Sequence, residues 1–302
     1  MLILQQMIVL FLMMMVGYTC FRKGLLNAEA GKKLSGIVVN VANPALILTS
    51  SIQEGSITGS NLVTAMIAVA VMYTSLLLIA MVIPRLLRVK REEAGVYRAM
   101  SIFSNIGFMG FPIIASIYGN GALLYGALFL IPYNILIYTY GIAVMKRADA
   151  PKENISVSKI FNIGVIASIL AILIYMLRIP VPGFIGVTLT QLGNLAAPLS
   201  MIVIGGSLAV IDLKKLFTDV KLLCFSMIKL LLIPAAGVLF AGQFIRDEVL
   251  LGVCMVMLAA PVGSMTAMLA QQYDGDYELA SKGVVLTTLL SVITLPIISA
   301  LL

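Results

Sequence analysis

The chain has 302 residues, of which 61% are hydrophobic and 11% charged, with a net charge of +7 and a mean hydropathy of +1.09. A soluble domain carries about a quarter charged residues, so the composition reads as an all-α integral membrane protein. The basic residues sit in short loops between apolar runs, where they report topology and not a nucleic-acid partner. The sequence contains no histidine, which removes the commonest general base and transition-metal ligand. Cys20, Cys224 and Cys254 lack metal spacing and read as small apolar residues, so neither cofactor nor metal is expected.

A bilayer is crossed by about 18 to 25 apolar residues. Ten such runs succeed one another: Ile3–Phe21, Leu34–Gln53, Leu62–Pro84, Ala99–Tyr118, Ala122–Met145, Ile160–Leu177, Leu189–Ile211, Leu222–Ala241, Val249–Leu269 and Val284–Leu302. The first has no basic stretch before it and is followed by Arg22 and Lys23, so it reads as a retained span, not a cleaved signal. Basic residues then cluster in alternate loops: Arg22, Lys23, Lys32 and Lys33; Arg85, Arg88, Lys90, Arg91 and Arg98; Lys146, Arg147, Lys152 and Lys159; Lys214, Lys215 and Lys221. The intervening loops hold little beyond Glu54, Arg178 and Arg246 with its two acidic neighbours. The positive-inside rule therefore places both termini outside a cell membrane crossed many times. The last inner loop, with Asp274, Asp276 and Glu278 against Lys282, fits least well, but acidic residues weigh little in that rule.

Two runs are interrupted in their middle. Ser104 to Ile113 contains Asn105, Gly107, Gly110 and Pro112, and a second interruption spans Ala259 to Ser264 with Pro261 and Gly263. Glycine and proline weaken the helix and an amide enters hydrocarbon, which is tolerated only where protein or water covers the backbone, as in the discontinuous helices of secondary transporters. The halves also correspond: Asn40 to Pro44 recurs as Asn194 to Pro198, Pro84 answers Pro234, Pro112 answers Pro261, and Pro132 answers Pro296. Five spans per half, an odd number, make this an inverted 5+5 repeat. Residues 1–145 form the first unit, 146–159 a cytoplasmic linker and 160–302 the second.

Asn105 with the residues to Pro112, Ala197 to Gly206, and the ninth run continuing into Ala270 to Asp274 resemble the auxin efflux carrier family. The resemblance covers essentially the whole chain. The long hydrophilic loop of the plant PIN transporters is missing, so the chain is similar to the short bacterial members described as malate or malonate permeases. The resemblance implies a fold like that of bile acid sodium symporters. In it, helices 1, 2, 6 and 7 form a scaffold, helices 3, 4, 5, 8, 9 and 10 form a moving transport domain, and helices 4 and 9 cross at Pro112 and Pro261. It also implies a substrate-contacting asparagine at Asn105.

The chemistry of the interruptions agrees with an anion. A helix amino end carries roughly half a positive charge and unpaired N–H groups, and it binds anions. In the fourth run that end is expected from about Pro112, and in the ninth from about Pro261, with Gly263, Ser264 and Thr266 offering close approach and hydroxyls. Lys229 is the one charge inside an apolar run; it is read as inward-facing, either attracting the anion or pairing with carbonyl ends of the broken helices. Asn43 and Asn194 are matched polar positions on the scaffold side, with packing and substrate contact both open. The expected activity is secondary transport of a small organic carboxylate by alternating access. An anion channel could use the same residues, and an intramembrane enzyme pairing Ser226 with Lys229 lacks a nucleophile-elbow motif. The coupling ion, sodium or proton, stays open, as does assembly into a homodimer; the bilayer and the anion are the partners implied.

Overall fold

The computed structural model describes residues 2–52, 59–145, 161–209, 218–273 and 275–300. The linker 146–159, the basic residues Lys214 and Lys215, and the loop residues Glu54 and Asp274 lie outside them. Among the described residues every named element is helical, and no strand is formed beyond one isolated bridge. In chain order these are α1 (Leu2–Arg22), α2 (28–50), α3 (Gly59–Leu86), α4 (Ala94–Ile102), α5 (Ile106–Tyr118), α6 (Asn120–Met145), α7 (Ile163–Leu177), α8 (Gly183–Leu208, bent at Asn194), α9 (Val220–Ala241), α10 (Glu248–Ala259), α11 (Ser264–Gln272) and α12 (Tyr277–Ser299).

Five of these are long and apolar enough to cross a membrane: Asn61–Leu86 within α3, together with α6, α8, α9 and α12. Ile8–Arg22 within α1, together with α5, α7 and α10, are shorter apolar helices. The surface explains the composition. Helix α3 buries Leu62, Ala65, Val69, Met72, Leu76, Ala80 and Ile83, yet its opposite face exposes Val63, Met66, Ile67, Val71, Leu78, Met81 and Val82. A helix apolar on all sides is stable only where its outer face meets lipid.

Several helices begin earlier than their apolar runs, because Asn or Asp side chains cap them in advance. Asn27 accepts from Ala30 N, Asp219 from Leu222 N, and Asp276 from Leu279 N; Asn162, accepting from Gly164 N and Val165 N, instead starts α7 at Ile163, three residues later than the expected run. Each satisfies donors that the first helical turn leaves unpaired. Asp247 does more: its Oδ1 caps Val249 N and Leu250 N, while its Oδ2 accepts from Asn61 Nδ2 at 2.7 Å and Tyr125 Oη at 2.6 Å. One carboxylate thus joins the starts of α3, α6 and α10.

Proline shapes the helices in a repeated way. Pro44, Pro112 and Pro234 each come after a π-helical turn, at Val38–Ala42, Ile106–Gly110 and Ile228–Leu232. In each case the residue before proline donates five residues back: Asn43 N to Val38 O, Phe111 N to Ile106 O, and Ile233 N to Ile228 O. The proline ring clashes with the carbonyl four residues back and supplies no N–H, and the wider turn absorbs both faults without ending the helix.

The tightest pair is α1 with the second half of α8, while 43–50 of α2 packs on α7 and on the first half of α8. Glycine permits the first contact. A Cβ on Gly205 would land on the Met14 carbonyl oxygen, and one on Gly17 on that of Ile202. Gly193 likewise lies against the Leu46 backbone. Small residues allow this approach in membranes, where packing and not hydrophobicity drives helix association. Gly205→Ala should destabilise the protein by roughly 1–3 kcal/mol, read as a lower melting temperature in detergent, whereas Gly36→Ala, where no atom lies within 4 Å of the added carbon, should not lower stability and should raise it by up to about 1 kcal/mol through helix propensity.

Candidate functional site

Helix α4 ends at Ile102, and Phe103 (φ −92°, ψ 87°) and Asn105 (φ −79°, ψ 67°) depart from helical geometry. Helix α10 ends at Ala259, after which Ala260 (φ −59°, ψ 140°) and Gly263 (φ −73°, ψ 139°) are extended. Both stretches are buried, so their backbone groups must find protein partners. They find each other. Ser104 and Val262 form an antiparallel bridge, Asn105 N donates to Pro261 O at 2.7 Å, and Gly263 N donates to Phe103 O at 2.8 Å. Pro261 has no N–H and contributes only its carbonyl. Gly263 sits where a Cβ would stand 3.0 Å from the Ser104 carbonyl oxygen and 3.2 Å from that of Phe103, so a side chain there would press the two stretches apart by a few tenths of an ångström.

Two further side chains complete the crossing. Val262 N donates to Thr287 Oγ1 at 3.0 Å, and that hydroxyl in turn donates to Gly283 O at 2.7 Å. Lys229 Nζ donates to Ser104 Oγ at 2.8 Å and lies 3.4 Å from Leu258 O, with the side chain wholly buried. Ser226 donates to Leu222 O in its own helix and is not a partner of the lysine.

Beyond the crossing each chain re-enters a helix, and the amino ends of α5 and α11 start from it. Asn105 caps α5: its Oδ1 accepts from Phe108 N at 3.3 Å, and its backbone oxygen accepts from Met109 N and Gly110 N. No described residue accepts from its Nδ2. This amino end starts at Ile106, earlier than the expected Pro112, because the asparagine cap and the π-turn let the helix form ahead of the proline. Asn43 donates from Nδ2 to Gly107 O at 2.9 Å, with its own Oδ1 buried and unpaired. The amino end of α11 starts at Ser264, after Pro261. Thr266 sits on its first turn, its amide bonded to Gly263 O and its hydroxyl buried without a partner.

Hydrogen bonds thus unite Asn105 with Pro261 directly, Gly263 through Phe103 and Lys229 through Ser104, with Asn43 and Gly107 beside them. Gly110 packs on Met257 with room for a methyl group, 3.7 Å from its sulfur. Pro112 and the exposed Asn194 instead line a cleft of about 160 Å³ together with Leu46, Ser116 and Asn120. Ser104, Leu258 and Thr287 escape a reading of the sequence. For Thr287 a signal exists: Thr287, Ser291 and Thr294 recur three to four residues apart in an apolar run, and all are buried.

A family profile described as membrane transport protein matches residues 2–299. An uncharacterized transporter of Methanothermobacter thermautotrophicus is 27% identical over 295 residues, covering 96% of this chain and 95% of that protein. Another uncharacterized transporter, of Methanocaldococcus jannaschii, is 23% identical over 301 residues, covering 95% of each.

Thr287→Val keeps the shape of the side chain but strands Val262 N in the core. It should lower stability by about 1–3 kcal/mol, measured as a reduced melting temperature that Thr287→Ser restores.

Proposed function

The chain belongs to the membrane transport protein family, the auxin efflux carrier-like group that its sequence resembles, and from that premise we propose that it is a secondary carrier of a small organic anion. The observation that carries this reading is the pair of helix amino ends, α5 and α11, issuing from one hydrogen-bonded crossing in the protein interior. Each end contributes about half a positive charge in a poorly screened setting, and a carboxylate is the natural occupant. The unpaired Asn105 Nδ2 and the unpaired Thr266 hydroxyl supply further donors.

In this reading the chain makes ten spans arranged as two inverted units. Scaffold helices α1, α2, α7 and α8 face a moving body that carries the crossing. The cleft between α2, α5 and α8 lies at the end of α5 that the loop charges assign to the exterior. Its volume of about 160 Å³ equals roughly five water molecules, enough for part of a small carboxylic acid. Burial of Ser104, Asn105 and Val262 supports alternating access over a permanently open anion channel. Transport chemistry also leaves the Ser226–Lys229 enzyme reading without a role, since each side chain bonds elsewhere.

The test is uptake and counterflow in proteoliposomes with a panel of monocarboxylates, dicarboxylates and indole acids. Saturable counterflow of at least one anion is expected; conductance without saturation would instead identify a channel. With the anion found, Asn105→Ala should weaken its binding about ten- to a hundred-fold, the loss of roughly 1.5–3 kcal/mol for a hydrogen bond to a charged group. Unchanged affinity in a folded variant removes Asn105 from the site.

A further inference from the structure

The surroundings of Lys229 have the chemistry of a cation site. Its ammonium lies at the carboxyl ends of both interrupted helices: Ser104 stands two residues beyond the end of α4, and Leu258 is in the last turn of α10. Each such end carries roughly half a negative charge, so the two together oppose about one positive unit. The ligand atoms are a hydroxyl and a carbonyl oxygen, and the ion pairs found among the described residues, Lys33–Glu29 and Lys282–Glu278, lie on other helices. Neutral oxygen donors at broken-helix carboxyl ends are the setting in which discontinuous-helix carriers coordinate a free coupling cation.

Resting on the carrier reading above, we propose that the Lys229 ammonium is the resident cation of the crossing. It occupies with a tethered charge the position a monovalent ion would otherwise fill, so that this position takes no sodium in the wild-type protein. The lysine therefore acts on the carbonyl side of the crossing, while the anion belongs to the amino ends of α5 and α11. Lys229 lies in the π-turn at Ile228–Leu232, just before Pro234, and is 0% exposed. A buried charge this far from water costs several kcal/mol unless oxygen ligands replace its hydration, so removing it should leave those oxygens seeking a replacement ion.

Purified wild-type protein, Lys229→Ala and Lys229→Met would be compared by thermal shift in sodium, potassium, methylammonium and choline chloride at constant ionic strength. The expected result is a saturable upward shift for Lys229→Ala in sodium or methylammonium relative to choline. No selective shift is expected for the wild type, nor for Lys229→Met, whose side chain fills the space without charge. A sodium shift in the wild type overturns the proposal, as does a folded Lys229→Ala that responds to no cation. If Lys229→Ala does not fold, the wild-type sodium response decides alone, its presence overturning the proposal and its absence sustaining it. This readout needs no substrate, so a failed uptake panel would count against the carrier reading and leave the cation result standing. With an anion identified, uptake by Lys229→Ala should fall at least about tenfold in choline and recover with sodium or methylammonium.

Discussion

Hydrocarbon offers no hydrogen bonds, and this one deficit governs the centre of the molecule. Two helices stop halfway, and every polar group they release has to be met from within the protein. Backbone meets backbone at Ser104 and Val262, Thr287 takes the remaining amide, and Lys229 takes an oxygen from each stretch. The interruption is therefore an ordered object and not a loosened helix. It separates charge in a defined sense, with carbonyl ends on one side and amide ends on the other.

The same economy explains how proline is used. Pro44, Pro112 and Pro234 would each cost about 3 kcal/mol inside a regular helix, yet each is accommodated by a π-turn placed just before it. Such turns do more than relieve a clash. They change the rotational register of the next helical segment and place Asn40, Gly107 and Lys229 within the widened turns. Lys229 and Gly107 bond to other helices from within these turns, Lys229 Nζ to Ser104 Oγ and Gly107 O to Asn43 Nδ2.

Much of this is legible in the sequence. The apolar runs and the two interruptions emerge from residue type alone, since glycine, proline and asparagine in mid-run are costly in hydrocarbon without a purpose. The inward orientation of Lys229 can be argued from its distance to the nearest basic loop. The partners cannot be read in this way. Lys229 and Ser104 stand 125 residues apart, and no local pattern ties a lysine to a serine hydroxyl at that distance. The start of α5 departs from expectation for a related reason: proline marks where a helix is faulty, whereas the asparagine cap decides where it begins, and here the two are separated by a turn. Asp247 reads as one more loop acid, because nothing in a linear sequence distinguishes a solvated carboxylate from one that receives Asn61 and Tyr125.

That carboxylate has a mechanical consequence. Parting α3 or α6 from α10 would strip Asp247 of a charge-assisted hydrogen bond each time, about 1.5–3 kcal/mol apiece, before any loss of packing. The three helices are in effect welded at one end. Between α2 and α5, by contrast, the side-chain tie found is a single neutral amide, Asn43 to Gly107 O, whose removal costs only about 0.5–1.5 kcal/mol. The polar side-chain ties are thus uneven: α10 is held to α3 and α6 by hydrogen bonds to a carboxylate, whereas α2 is held to α5 by one neutral amide, so a polar substitution at Asp247 loosens the packing of three helices and one at Asn43 that of two.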